Sequence, residues 1–95
     1  MNRLFIDLET TGTDATKHSI IQAGLLIYDD EKDSILVEKE WNIVPFISEW
    51  IDNIDPEALQ ISGITVEMIY RHDCSILSFH NELNSFINML SLIHI

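Results

Sequence analysis

Apolar and polar residues alternate from the start of the chain. Over Arg3 to Glu9, Leu4, Ile6 and Leu8 fall on one side of an extended backbone and Phe5, Asp7 and Glu9 on the other, which predicts a first strand. Thr10-Thr11-Gly12 then reads as a turn. Ser19 to Tyr28 is apolar at nearly every position, so a second strand is expected there, central in its sheet. The charged run Asp29-Asp30-Glu31-Lys32-Asp33 is expected as a hairpin loop in water. From Ile35 to Val44, Ile35, Val37, Trp41 and Ile43 alternate with Glu38, Glu40 and Asn42, and a strand with one wet face suits a sheet edge.

Beyond Pro45 the stretch with Phe46 and Trp50 is less regular. Asp55-Pro56-Glu57 opens a short helix, because Asp caps and Pro fills the first turn, where its missing N–H is no loss. Gly63 is placed to end that helix, and Thr65 to cap another through Tyr70. The clearest helix carries Ile76, Phe79, Leu83, Phe86, Ile87 and Leu90 at three- and four-residue steps, with Asp73 or Ser75 as its cap. Ser91-Leu92-Ile93-His94-Ile95 turns apolar and reads as the first residues of a fourth strand. The order predicts an α/β domain cut short: a three-stranded, mainly antiparallel sheet, then short helices and one long amphipathic helix.

Composition changes this picture only a little. The chain has 95 residues, enough for one small core, and 46% of them are hydrophobic, which excludes a disordered chain. The single cysteine, Cys74, cannot form an internal disulfide, and there is no signal-like or membrane-spanning apolar run, so a cytoplasmic protein without a membrane partner is expected. No Cys or His is spaced around Cys74 to make it a zinc ligand or a nucleophile. The formal net charge is -11 and Lys and Arg total five, which argues against a protein that coats nucleic acid with a basic face. The acids then either solvate the surface or hold cations that meet a phosphate.

Asp7 and Glu9 are the acids in the most distinctive setting. Two residues apart on a strand, they share a face with Cα atoms roughly 6.5–7 Å apart. Strongly apolar neighbours flank both, and an unpaired charge buried in such a run is costly. A pair of cations about 3.5–4 Å apart, the arrangement that serves in-line phosphoryl displacement, fits this reach. A strand end facing water fits it as well.

The stretch Phe5-Ile6-Asp7-Leu8-Glu9-Thr10-Thr11-Gly12 resembles, nearly residue for residue, the first exonuclease motif of the DnaQ-like (DEDD) 3'-5' exonuclease family. A second stretch, Ile54-Asp55-Pro56-Glu57-Ala58-Leu59 and then Ser62-Gly63-Ile64-Thr65, is similar to the family's segment between its first and second motifs. The resemblance implies a ribonuclease H-like fold, with residues 1–95 as the N-terminal part of a single exonuclease domain. It implies that Asp7 and Glu9 are catalytic and bind Mg2+ or Mn2+, as half the ligands of a two-metal site. It also implies that Thr10, Thr11 and Gly12 receive the 3'-terminal nucleotide and that Glu57 lies near it, while Ser62 stands where the family has a His. The implied reaction is hydrolysis of single-stranded DNA or RNA from the 3' end, releasing nucleoside 5'-monophosphates. Implied partners are the nucleic-acid 3' end and a polymerase subunit or a second chain that completes the domain. The family's two further carboxylates and its general-base His or Tyr fall downstream of the long helix. The alternative is a truncated or split remnant, inert alone, acting as a folding or interaction module whose first strand is an open apolar edge.

Other candidates read as structural. His80-Asn81 resembles the opening of the family's second motif superficially, but no Asp follows at the needed spacing and the pair lies within the amphipathic helix. His94 stands where that motif's strand would begin. His18 and His72 read as loop residues, and Asp73 as a cap. Trp41 falls on the apolar face of its strand and is expected in the core; for Trp50, stacking on a base and packing both stay open.

Overall fold

A computed structural model describes residues 1–46 and 49–92, with the side chains of 90–92 set aside. Three antiparallel strands come first: β1 (Asn2–Thr10), β2 (Ile20–Asp29) and β3 (Ser34–Asn42), in the order β1-β2-β3. The apolar run of β2 is central, as its composition requires, and β1 and β3 form the edges. After a 3-10 turn at Trp50–Asn53 come helices α1 (Pro56–Ser62), α2 (Val66–Tyr70) and α3 (Ile76–Leu92).

The helix ends follow from local chemistry. Asp55 accepts a hydrogen bond from the Glu57 N–H, and Gly63 takes the left-handed conformation (φ 75°) that ends α1. Thr65 accepts from the Met68 N–H at the start of α2. Of the two cap candidates for α3, Ser75 fills the role, its Oγ accepting from the Ser78 N–H at 3.1 Å.

One face of the sheet is covered. Ala23, Leu25 and Ile27 of β2, with Trp41 and Ile43, form a core cluster with Phe79 of α3, and Ile76, Leu83 and Phe86 pack against it. The Trp41 ring meets Phe79 edge-on at 5.1 Å, and its Nε1–H donates to Glu82 at 2.8 Å. A second cluster joins Ile21 to Ile64 and Ile69, with Trp50 and Leu59 against it.

Two expectations are corrected. The apolar run read as a fourth strand opens with Ser91 and Leu92, and both continue α3. No glycine or proline interrupts the sequence from Ile76 to Leu92, so nothing breaks the helix there. Ile93, His94 and Ile95 lie outside the described residues. The third strand also ends at Asn42, two residues early. Ile43 and Val44 turn to the segment before α3, where the Val44 N–H donates to the Cys74 carbonyl at 2.8 Å and the Cys74 N–H to the Asn42 carbonyl at 3.2 Å.

Candidate functional site

The register sets Asp7 opposite Gly24 and Gly24 opposite Glu40, with Phe5, Leu26 and Glu38 in the neighbouring row. These residues share the sheet face that α3 does not cover. Because Gly24 has no side chain, and a Cβ there would meet nothing within 4 Å, the face sinks beside Asp7. A depression of about 610 Å³ lies there, lined by Phe5, Asp7, Gly24, Leu26, Glu38 and Glu40 among others.

Asp7 is exposed and Glu9 half-buried, and neither carboxylate has an ion pair or a side-chain hydrogen bond among the described residues. Of the two settings that the sequence left open, Asp7 takes the one that faces water. Its neighbours Leu4, Phe5, Ile6 and Leu8 are themselves 37–52% exposed, because β1 is an edge strand and α3 packs over β2 and β3. The pair is left to solvent or to a cation.

The turn that follows is built differently. The ladder shifts between Glu9 and Thr10, which pair with Gln22 and Ile20, so Ile21 is the additional residue of a bulge. Bulges re-aim the chain, and the extra residue here lies in β2, opposite the end of β1 where Thr10 leads into Thr11 and Gly12. Thr11 is 1% exposed. Its N–H donates to the Ser19 carbonyl at 2.9 Å, its Oγ1 accepts from the Ser19 N–H at 3.0 Å, and its carbonyl accepts from the Asp55 N–H at 2.8 Å. Thr10 Oγ1 donates to the Gly12 carbonyl at 2.6 Å.

The Asp55 bond ties the start of α1 to the turn, and so brings Glu57, exposed on the first turn of α1, to the same end of the sheet as Thr10 to Gly12. Ser62 sits at the far end of α1, about 7.5 Å further along the helix axis. Its hydroxyl donates to the Leu59 carbonyl and accepts from the Ile64 N–H, a helix-ending arrangement. Asp7, Glu9, Thr10 to Gly12 and Glu57 are thus brought to one region, and Ser62 is set apart from it.

His18 is more than a loop residue. A Cβ on Gly12 would fall 2.3 Å from the His18 Cε1, so the imidazole packs directly on the glycine. The ring is held by Nδ1, which accepts from the Asp14 N–H at 2.9 Å and so places the ring proton on Nε2 when the ring is neutral. Asp14 in turn accepts from the Thr16 hydroxyl and N–H, and these bonds, the hydroxyl first, hold its carboxyl below the usual range. The only signal in the sequence is an Asp with a Thr two residues on, a common turn pattern. Nothing in it links His18 to Gly12. Trp50 resolves toward packing: it is half-buried against the Ile21 cluster, with the Tyr70 ring 5.3 Å away. Trp41 is core as expected, and His80 and Asn81 are exposed on α3. His72 places Nδ1 3.0 Å from the Ile43 carbonyl.

The two motif stretches that share this end of the molecule lie within one family match. The RNase T-type family described as exonuclease matches residues 4–94. The chain belongs to the exonuclease family. Comparison with curated proteins returned no match. Among solved structures, E. coli exonuclease I in complex with a dT13 oligonucleotide is 21% identical with a TM-score of 0.69, over 90% of this chain and 18% of that one. The nuclease domain of 3'hExo, a DEDDh family member bound to rAMP, is 19% identical with a TM-score of 0.64, over 99% of this chain and 46% of that one. Cell-death related nuclease 4 is 20% identical with a TM-score of 0.60, over 99% of this chain and 31% of that one. At these identities the likeness establishes the ribonuclease H-like exonuclease fold, and the chain spans less than half the length of each of these structures. Among the described residues, no group of three or more His, Cys, Asp or Glu is placed to hold a metal ion. The exonuclease fold here presents a carboxylate pair rather than a full ligand cage.

Proposed function

We propose that this chain carries the metal-binding strand and the 3'-nucleotide turn of a 3'-5' exonuclease, which releases nucleoside 5'-monophosphates from single-stranded nucleic acid in a cytoplasmic setting. One observation carries the reading. Asp7 and Glu9, unpartnered among the described residues, share the open face of β1 immediately before a turn that the protein itself holds on several sides. The pair fits Mg2+ or Mn2+ as part of a ligand set, since such ions commonly take one or two carboxylates and complete their shell with water and phosphate oxygens. A bound ion supplies Lewis acidity and a lowered pKa for bound water.

The chain's own contribution is placement. β1 sets the Cα atoms of Asp7 and Glu9 roughly 6.5–7 Å apart along one face. Thr11 has its N–H, carbonyl and Oγ1 all engaged within the protein, so its role in this reading is to shape the turn. Gly12, buried beneath the His18 ring, shapes the turn with Thr11. Thr10 and Glu57 are then the residues that meet the terminal nucleotide, and Ser62 acts only through the end of α1. The relatives leave the sugar open, since one was solved with dT13 and another with rAMP.

A second reading is favoured by the absence of a three-donor cluster among the described residues. In it the 95-residue chain is inert alone, and a polymerase subunit or another chain completes the site. The purified chain is incubated with Mn2+ and 3'-labelled DNA and RNA oligonucleotides, and Mn2+ binding is followed by electron paramagnetic resonance. Mononucleotide release that disappears in Asp7→Ala supports the first reading. Mn2+ binding without release, lost in the Asp7→Asn, Glu9→Gln double variant, supports the second. Neither binding nor release by the folded chain defeats both.

A further inference from the structure

We infer that His18 is a positioning residue for the terminal nucleotide: its ring backs Gly12 and, through it, fixes the Thr10 hydroxyl. The inference rests on the exonuclease reading, in which Thr10 meets that nucleotide. Thr11 is fixed by its own bonds to Ser19 and Asp55. Gly12 is not fixed in this way. Among the described residues, the hydrogen bond that reaches it comes from the Thr10 hydroxyl, at 2.6 Å. Glycine is also the residue with the most backbone freedom to lose. What limits Gly12 is the imidazole, since a Cβ there would fall 2.3 Å from the His18 Cε1 and 2.4 Å from its Nδ1. A shift of Gly12 toward the ring is blocked, and the carbonyl that receives the Thr10 proton is held with it.

The ring is itself clamped by the loop that carries it. Asp14 and His18 are bonded twice: the Asp14 N–H donates to Nδ1 at 2.9 Å, and the His18 N–H donates to the Asp14 carbonyl at 2.7 Å. The Lys17 N–H reaches the same carbonyl at 3.1 Å. Inside the loop, the Asp14 carboxylate accepts from the Thr16 N–H at 2.9 Å and from its hydroxyl at 2.6 Å. The next residue, Ser19, is bonded to Thr11 through both its N–H and its carbonyl, so the base of the loop is tied to the turn. A ring anchored in this way has one place to stand, and that place is on Gly12. An aliphatic side chain would supply bulk but leave the Asp14 N–H without its acceptor, and an unmet donor away from water is costly. The imidazole supplies the contact and the acceptor together. His18 acts through Gly12, so its role is placement and not a share in the reaction. Every link lies between Thr10 and Ser19, inside the stretch that the exonuclease family matches, and owes nothing to segments outside this chain.

Nuclear magnetic resonance titration of the 95-residue chain with thymidine 5'-monophosphate and with adenosine 5'-monophosphate, each with Mg2+, tests it. The wild type is expected to show saturating amide shifts at Thr10 and Glu57. The variant that separates placement from loop closure is His18→Asn. Its amide oxygen reaches the place of Nδ1 and keeps the Asp14 bond, while the cover over Gly12 is lost. It is expected to weaken nucleotide binding several-fold, with Mn2+ affinity by electron paramagnetic resonance and hydrogen exchange at Asp14 unchanged. His18→Ala is expected to weaken binding as much and to speed exchange at Asp14. The two Gly12 α-proton signals, separated in the wild type by the ring, are expected to converge in both variants. Wild-type nucleotide affinity in His18→Asn means that the residue only closes its loop, and overturns the inference. A loss of Mn2+ affinity in step with nucleotide affinity also overturns it. If neither variant folds, the wild type still decides: no nuclear Overhauser contact between the His18 ring and the Gly12 α protons sinks the inference. A wild type without shifts at Thr10 and Glu57 defeats the exonuclease reading and the inference with it, whereas normal wild-type binding beside an unaffected His18→Asn defeats the inference alone.

Discussion

Two consecutive segments of this chain, Asp7 to Glu9 and Thr10 to Gly12, are held in opposite ways. The turn is anchored from three directions: Ser19 across the sheet end, Asp55 at the start of α1, and the His18 ring against Gly12. The carboxylate segment has only its backbone ladder to β2, and its side chains have no partner among the described residues. A turn satisfied by the protein keeps its shape whatever is bound. Carboxylates left without a partner are available to a ligand that brings positive charge. The contrast says where stability and where binding reside, and substitutions can separate the two.

The largest loss of stability is expected from Gly12→Ala. A Cβ 2.3 Å from the His18 ring forces the ring or the backbone to move. Overpacking of this kind costs typically about 1–3 kcal/mol, and a boxed-in ring puts this case at about 3 kcal/mol. Urea unfolding measures it, and adding His18→Ala in the same chain is expected to recover most of the loss. Full loss in the double variant would mean that backbone conformation, not the ring, demands the glycine.

Thr11→Val comes next. It keeps the shape but removes the acceptor for the Ser19 N–H in a buried place. An unsatisfied buried donor costs about 1–3 kcal/mol. The Ser19 amide is expected to show faster hydrogen exchange, while β3 and α3 amides change little.

Asp55→Ala removes the α1 cap, for which about 1 kcal/mol is typical. Because the Asp55 N–H still reaches the Thr11 carbonyl, chemical shifts at Thr11 are expected to move less than those at Glu57. The smallest effect belongs to Asp7→Asn. As an exposed side chain without a partner among the described residues, it is expected to change stability by no more than about 0.5 kcal/mol while abolishing Mn2+ binding. A large destabilisation by Asp7→Asn would dissolve the contrast, since Asp7 would then belong to the scaffold.

Much of the fold was legible from short patterns. The alternation in β1, the continuous apolar run of β2 and the mixed pattern of β3 specified three strands and their order. The caps at Asp55, Gly63, Thr65 and Ser75 depend on residues within three or four positions of one another, and each was readable for that reason. The exonuclease motif was readable as eight consecutive residues. The exposure of Asp7, the seat of His18 and the place of Trp50 were not, because each depends on which distant element lies alongside.

By itself the sequence determined the three strands and their order, the caps of the short helices, the family and the two carboxylates on one strand face, since all of these are written in neighbouring residues. Only the tertiary structure decided that α3 covers β2 and β3 and leaves β1 open, that Gly12 has no room for a side chain, and that the start of α1 is bonded to the turn. The physical reason is distance along the chain. Asp55 is 44 residues from Thr11, and Phe79 is 38 from Trp41. Contacts across such spans depend on how whole faces pack, and no local pattern records them.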